Sequence, residues 1–274
     1  MKLTFHGAAK QVTGSNFLLE SIGSKALVDC GLHQGGVVCE KDNYEPFPYN
    51  PAEIDTVFIT HAHIDHIGRV PKLYKDGFRG KVVSTAPTKE FAKELLSDSK
   101  DILTREAKRA GKEPIYTQEH VDGVLRLWET IRYHEPKQFK DFRATFYDAG
   151  HILGSASIVL EVEGKKILFS GDLGNSPAPL IKDREQIEDK IDYVVMESTY
   201  GGRIHEDNDK RKALLEDTIE ETIRNNGVLM IPAFAMERTQ ELLFELNELV
   251  ENGRIPPVPI FLDSPLAIKL TDVY

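Results

Sequence analysis

The segment Thr60-His61-Ala62-His63-Ile64-Asp65-His66 sets three histidines and one carboxylate within six residues, directly after the apolar run Val57-Phe58-Ile59. The apolar run is typical of a buried strand. His61 and His63 are two positions apart, so on an extended segment both side chains project to one side and can reach one ion. Asp65 and His66 follow as the chain turns, and they can face a second ion. This set of side chains favours a metal site over a chance cluster of surface histidines. Imidazole together with carboxylate suits zinc, with manganese or iron as alternatives.

Two further motifs offer ligands of the same kind. The run Ala149-Gly150-His151-Ile152-Leu153-Gly154-Ser155 places a histidine in a glycine-flanked loop after one predicted strand, and Ser170-Gly171-Asp172 places a carboxylate after the next. Glycines allow the backbone to approach a crowded centre closely. Six ligands are enough for two metals, with Asp172 as the bridge: His61, His63 and His151 on the first, Asp65 and His66 on the second.

Asp29 ends a predicted strand over residues 25–29 and is placed to accept a proton from a ligand imidazole. A simple turn residue before Gly31 is the alternative interpretation.

Composition limits the class of protein. The 274 residues are 41% hydrophobic and 28% charged, which is ordinary for a soluble globular protein with a sizeable core. No apolar run approaches the roughly 20 residues that span a bilayer, and the N-terminus does not resemble a signal peptide, so we expect no membrane association. The two cysteines, Cys30 and Cys39, predict no disulfide framework and favour a cytoplasmic location.

The net charge of −10 argues against a nucleic-acid binder that relies on bulk charge. It does not exclude a polyanionic substrate, because bound divalent cations would reverse the local sign. Any nucleic acid must therefore be held by local features.

Strands and helices alternate along the first part of the chain. The predicted strands are 2–6, 15–20, 25–29, 54–60, 81–84, 145–148, 157–162, 165–170 and 191–196, and the predicted helices are 88–110 and 119–133. Glu163-Gly164 is a predicted hairpin turn, and Trp128 is a predicted packing residue. Residues 175–190 are rich in proline and charge, which indicates a loop.

The second part changes character near Asp207. Helices are predicted over 210–225, over 238–251 and from Pro265, with strands over 228–231 and 259–262. This order predicts a parallel β-α-β pattern. Two strands are too few for a complete domain, so we expect the chain to be a fragment of a longer protein.

Asp29, the H-A-H-I-D-H run, His151 and Asp172, in that order, resemble the metallo-β-lactamase superfamily. The resemblance implies an α/β fold, the αββα sandwich, with the metals at one edge between two sheets. The segments Glu197-Ser198-Thr199-Tyr200-Gly201-Gly202, 231–241 and 263–267 resemble the β-CASP branch and its inserted domain. This implies a metallo-β-lactamase domain over residues 1–206 and a partial β-CASP domain over 207–274.

The resemblance is to ribonucleases related to the endonuclease subunit of the cleavage and polyadenylation machinery. It implies a two-zinc enzyme of RNA processing or decay that hydrolyses phosphodiester bonds with a metal-bridging hydroxide. Asp65 is then both a ligand and an orienting base. Glu197, followed by S-T-Y-G, favours RNA over DNA, and it either orients a histidine general acid or braces its own turn.

In this family two more histidines follow the inserted domain. The second site is therefore expected to be one ligand short here, with a well-filled first metal, a weak second metal and little activity. His205 is not expected to replace the missing ligand.

Arg238 and Ser264 are the candidate contacts to RNA phosphate, each at a predicted helix start. The alternative interpretation makes Arg238 the partner of Glu241 or Glu245 on the helix surface, and Ser264 an N-cap. Many relatives have a small residue at the position of Glu237. A carboxylate there would repel a phosphate bound by Arg238.

The expected partner is RNA, single-stranded, with a homodimer as an option for the full-length protein. Two other functions stay open: a metallo-hydrolase of small esters or thioesters, and a catalytically silent RNA-binding paralogue.

Overall fold

The structure, a computed structural model, describes residues 1–35, 41–203 and 208–274. The chain forms two compact units. The first comprises Met1–Ser176 and Lys182–Glu197, and the second comprises Pro177–Ile181 and Ser198–Tyr274.

The first unit contains a six-stranded sheet in sequential order. Its strands are β1 (Lys2–Phe5), β2 (Phe17–Glu20), β3 (Lys25–Val28), β4 (Thr56–Phe58), β5 (Lys81–Ser84) and β6 (Trp128–Thr130). Pairing is antiparallel from β1 to β3 and parallel from β3 to β6. The carboxyl ends of β3, β4 and β5 therefore meet at one edge, where loops can carry a site.

A second sheet of five strands has the order β11-β10-β9-β8-β7. Its strands are β7 (Lys137–Phe139), β8 (Phe142–Asp148), β9 (Ala156–Val162), β10 (Lys165–Phe169) and β11 (Tyr193–Val195). All pairs are antiparallel except β10 with β11. Glu163 and Gly164 have φ of 50° and 70°, as a two-residue hairpin turn requires, so the predicted turn is confirmed.

Alternate side chains of the two sheets form one apolar core. Phe58, Phe142, Phe146 and Phe169 are among its largest members, and each is at most 1% exposed. Successive strand residues point to opposite faces, so β3, β4 and β5 also bury a second face that includes Leu27, Val57 and Val82.

The described residues of this unit form four α-helices, α1 (Ile64–Ile67), α2 (Val70–Lys75), α3 (Ala86–Arg109) and α4 (Gln118–Arg126), and a 3-10 helix over Pro51–Glu53. Helices α2 and α3 both pack on α4, and α3 also contacts β6. The described residues thus supply the α–β–β layers of the expected sandwich, and the predicted mixed α/β class is confirmed.

The predicted helix over 119–133 is wrong in its second half. The helix ends at Arg126, and Trp128–Thr130 pair with β5 as the edge strand β6. Trp128 is buried, as predicted for packing, and its Nε1–H donates to Ser84 Oγ at 2.8 Å. Strand pairing and burial here outweigh the local helical periodicity.

The second unit contains α5 (Asn208–Arg224), α6 (Arg238–Glu251) and α7 (Pro265–Thr271). Ile219, Leu246, Leu249 and Ile255 form its small apolar core. The predicted bounds of α6 are confirmed.

The two strands predicted in this unit are wrong. Residues 228–231 and 259–262 have irregular backbone, and no described residue from 208 to 274 belongs to a strand. A strand needs a hydrogen-bonded neighbour and a surface to pack on. Val228 and Phe261 are each 89% exposed, so neither segment packs on a sheet and the parallel β-α-β pattern is not formed by these residues.

None of the helices that the structure describes is long and apolar enough to cross a membrane.

We expect Phe146→Ala to lower the free energy of unfolding by about 3–5 kcal/mol, because it leaves a cavity between the two sheets. Phe5→Ala is the matched control, since Phe5 is 48% exposed and should cost much less. Urea denaturation of both variants measures the difference, and equal losses would contradict the assignment of the core.

Candidate metal centre

The histidine cluster lies where the two sheets meet. Beyond β4, Ile59 N–H donates to Val83 O, and Thr60 O then accepts a hydrogen bond of 2.7 Å from Ala156 N–H at the start of β9. This bond joins the end of one sheet to the other. The chain turns at His63, whose backbone is still extended, and α1 begins at Ile64 with Asp65 and His66 in its first turn.

Three imidazoles converge on one point. His61 Nε2 is 3.0 Å from His63 Nδ1, and His63 Nδ1 is 3.1 Å from His151 Nε2. Asp172 Oδ2 is 3.7 Å from both His61 Nε2 and His151 Nε2. One ligand atom from each of the four residues lies within 4.8 Å of all the others.

This donor set fits a tetrahedral cation. Zinc–nitrogen bonds of about 2.0–2.1 Å place neighbouring ligand atoms about 3.3 Å apart, close to the nitrogen separations observed here. Burial lowers the pKa of His63 to about 3 and the pKa of His61 well below its usual value. Both rings are therefore neutral at pH 7 and can offer lone pairs to a metal.

Asp172 lies between this set and a second one. Its Oδ2 faces His61 and His151, whereas its Oδ1 is 3.3 Å from His66 Nε2. Asp65 Oδ2 is 3.8 Å from the same His66 nitrogen. The side chains of Asp65 and His66 thus lie together on the other side of Asp172, while the predicted assignment of the six residues to two metals stays a prediction.

The carboxyl groups of Asp65 and Asp172 differ in their environment. Burial raises the pKa of Asp65. Burial acts in the same direction on Asp172, but hydrogen bonding to His66 and the charges of the nearby histidines outweigh it and lower the pKa of Asp172 to about 2. Asp65 is therefore the better proton acceptor of the pair.

Asp29 holds the cluster from below. It is 1% exposed, and its Oδ1 accepts from Thr60 N–H at 2.8 Å while Oδ2 accepts from Thr60 Oγ1 at 2.8 Å. His66 Nδ1 is 2.7 Å from Asp29 Oδ2, so the bond fixes the ring with Nε2 directed at Asp172. Asp29 has φ of 59°, which is unusual for a residue other than glycine. The predicted contact with a cluster imidazole is formed, through His66.

Thr60 is the residue that sequence reasoning missed. Besides donating to Asp29, its hydroxyl is 3.0 Å from His61 Nδ1. The only signal in the sequence is its place beside His61, where a hydroxyl can meet the ring nitrogen that does not face the cluster.

Close backbone contacts fix the loops. A Cβ on Gly31 would lie 1.5 Å from Asp65 O, and one on Gly174 would lie 1.5 Å from Gly150 O. Gly174 N–H donates to Ala149 O, which joins the loop after Asp172 to the loop that carries His151. Only glycine allows these approaches.

Glu197 lies beside the centre in the first unit. Its Oε1 accepts from Leu173 N–H at 3.3 Å, next to Asp172, and its own N–H donates to Ser170 Oγ at 3.1 Å. These contacts correspond to the bracing interpretation. The role in orienting a general acid stays a prediction.

Arg238 and Ser264 lie in the second unit and make the contacts of their structural interpretation. Arg238 Nη1 donates to Glu241 Oε2 at 2.8 Å, and Ser264 Oγ accepts from Ala267 N–H at 3.2 Å as the N-cap of α7. Phosphate binding by either residue stays a prediction. His205 and Cys39 lie outside the described residues.

A sequence model of the metallo-beta-lactamase superfamily matches residues 10–218, and a model of the Beta-Casp domain matches residues 239–274. A ribonuclease of Thermus thermophilus is 36% identical over 274 residues, which cover 100% of this chain and 61% of the relative. Cleavage and polyadenylation specificity factor 73 of Drosophila melanogaster is 34% identical over 274 residues, covering 98% and 39%. An RNase J-like protein of Methanocaldococcus jannaschii is 36% identical over 276 residues, covering 99% and 60%.

The chain thus spans about three fifths or less of the length of these relatives. The match confirms the resemblance drawn from the motifs.

We expect Thr60→Val to weaken zinc binding about 10–100-fold, because His61 and Asp29 both lose a hydrogen-bond partner while the shape of the side chain is kept. Competition with a chromophoric chelator measures the affinity. Thr145→Val is the control, since Thr145 is on the face of β8 opposite the core residues Ala144 and Phe146. Equal affinities in the two variants would refute the role of the Thr60 hydroxyl.

Glu237 should make stability depend on pH. Burial, together with the charge of Glu241, raises the pKa of Glu237 from 4.5 to about 7. Because the folded-state pKa is the higher one, the folded chain binds the proton more tightly. The resulting stabilisation is complete below about pH 4.5 and is lost as the pH rises through about 7.

Glu237→Gln should abolish this change in urea denaturation midpoints. Glu237→Gly should abolish it too and also raise stability by about 1–3 kcal/mol, because φ of 67° and ψ of −67° suit glycine. A wild-type pH profile that matches Glu237→Gln would contradict the burial of this carboxyl.

Proposed function

This chain belongs to the metallo-β-lactamase superfamily, and we propose that its protein is a metal-dependent ribonuclease of the β-CASP branch. The observation that carries the proposal is the convergence of three histidines on one point, with Asp172 extended from them to His66. The ribonuclease and cleavage-factor names of the relatives support RNA as the substrate class.

We assign His61, His63 and His151 to a first divalent cation, Asp65 and His66 to a second, and Asp172 to both. The bound cations would supply Lewis acidity toward a phosphate oxygen and a nucleophile at neutral pH. Zinc is the proposed metal because nitrogen-rich tetrahedral sites favour it, with manganese or iron as alternatives.

The chain's own residues prepare this site. Asp29 and Thr60 fix the ring orientations of His66 and His61, so that little rearrangement accompanies metal binding. Asp65 holds and orients the attacking water by accepting a hydrogen bond. Glu197 positions the backbone next to Asp172 and is proposed to orient the donor of the proton to the leaving 3′ oxygen.

The remaining expectations belong to the same proposal. The metallo-β-lactamase domain would extend to residue 206 and the β-CASP domain would begin at 207. The substrate would be single-stranded RNA, the location cytoplasmic, and a homodimer an option for the protein.

In the full-length protein we expect His151→Ala and Asp65→Ala each to lower RNA cleavage at least about 100-fold, because loss of a ligand should exceed the loss caused by a residue behind it. Cleavage of labelled RNA is the assay, and circular dichroism checks the fold. His134→Ala is the matched control, since His134 is 58% exposed and pairs with Glu185 away from the cluster. Unchanged cleavage by His151→Ala would sink the assignment.

Removing metal with a chelator should abolish cleavage, and readding zinc or manganese should restore it. Turnover of a generic ester above that of RNA would favour the small-molecule hydrolase. Full metal occupancy with RNA binding but no cleavage would favour the silent paralogue.

A further inference from the structure

A basic stripe stands out on a chain whose net charge is −10. Arg105, Lys108 and Arg109 are exposed in the last turns of α3, and Lys112 is exposed just after it. Spacings of three and four residues from Arg105 put Lys108 and Arg109 on the same helix face as Arg105, opposite the buried Ala107. Gly111 has φ of 64° and Lys112 N–H donates to Ala107 O, so the chain turns back and Lys112 stays beside the helix end.

Cations at a helix C-terminus stabilise its dipole, which is the bland explanation of such a stripe. Two carboxylates, Glu106 and Glu113, accompany the four cations, and Asp101 lies one turn earlier, paired with Lys100. The four cations still outnumber the two carboxylates. The helix dipole does not explain why an aromatic cavity lies beside them.

The stripe borders an open cavity of about 520 Å³ in the first unit. Tyr44, Phe47 and Tyr49 supply its aromatic surface, and Lys72 and Lys75 of α2 supply cations. Phe47 stacks on Tyr49 with a centroid distance of 5.3 Å and an interplanar angle of 29°. A volume of this size admits a nucleobase with its sugar.

Cations and rings alternate around the cavity. Lys72 Nζ is 4.3 Å from the Phe47 ring centroid, and Lys112 Nζ is 5.0 Å from the Tyr44 centroid, which connects the stripe to the cavity. Lys75 Nζ donates to Ile115 O at 2.9 Å and so fixes the opposite wall. Of the lining carboxylates, Asp76 is paired with Lys72 at 2.6 Å, and Glu113 is exposed.

We propose that the cavity and the basic stripe form a subsite for single-stranded RNA away from the metal cluster, with a base against Tyr44 and Phe47 and phosphates along Lys112, Lys108 and Arg109. Aromatic rings interleaved with cations are how proteins hold single strands without sequence preference. The proposal rests on the proposed function, and it answers how an acidic chain retains a polyanion.

The position of the subsite sets a length dependence. Helix α3 begins against the loop that carries His151, since Thr88 Oγ1 donates to Gly154 O at 2.9 Å, and Lys108 lies near the other end of the helix, about 30 Å along its axis at about 1.5 Å per residue. An RNA of about 4 nucleotides therefore covers the metal cluster alone, whereas one of about 20 nucleotides reaches both places.

The test compares two double charge reversals in the full-length protein loaded with zinc. Lys108→Glu with Lys112→Glu should weaken binding of the RNA of about 20 nucleotides about tenfold or more and reduce the salt dependence of log Kd by about 1.4, the value for two lost phosphate contacts on a single strand. Lys2→Glu with Lys93→Glu is the matched control, since these lysines are 73% and 61% exposed elsewhere. Fluorescence anisotropy measures both.

Tyr44→Leu should weaken binding of the same RNA about fivefold or more, because a base can no longer stack on the ring. Tyr44→Phe keeps the ring and should leave the affinity unchanged. Cleavage of the RNA of about 4 nucleotides should be unchanged in every variant, which also shows that the fold and the metal site survive. If the wild type cleaves RNA but the stripe variant and the control variant lose equal affinity for the RNA of about 20 nucleotides, this inference alone is overturned. A wild type that neither binds nor cleaves RNA would overturn the proposed function and this inference together.

Discussion

The buried carboxylate of Asp29 is the constraint on which the site depends. At 1% exposure a carboxyl group must have its hydrogen bonds supplied by the protein. It obtains them from Thr60 N–H, Thr60 Oγ1 and His66 Nδ1. These donors lie beyond β4 and in α1, while Asp29 lies beyond β3. Supplying the hydrogen bonds of one buried carboxyl group therefore fixes the separation of two parallel strand ends and the direction of a cluster imidazole.

The second half of the cluster is brought in by backbone contacts. Thr60 O binds Ala156 N–H, and Gly174 lies against Gly150 so closely that no side chain fits between them. The loops that carry His151 and Asp172 thus have little freedom of their own. Rigid loops behind convergent imidazoles are what a metal site requires, because ligands held in place lose little entropy on binding.

The sequence predicted those features that depend on local chemistry. The histidine run, the Glu163-Gly164 hairpin and the bounds of α6 follow from spacing, turn preference and helical period. It failed where distant neighbours decide. Trp128 becomes strand because β5 offers it a partner, and residues 228–231 remain irregular although their composition favours a strand. The role of Thr60 in the site could not be predicted from local sequence either, since its hydroxyl donates to Asp29, which is 31 residues away.

Electrostatics connects the site to its proposed substrate. Asp29, Asp65, Asp172 and Glu197 are four of the acids behind the net charge of −10, and the cluster gathers them at one edge of the fold. Without cations this edge repels phosphate, and with two divalent cations it would attract it. An RNA strand bound as proposed would then meet a surface that is acidic on average. An even distribution of lysine and arginine over that surface would leave the repulsion of RNA phosphates in place. Binding therefore requires a local concentration of cations, such as the one beside Tyr44 and the end of α3.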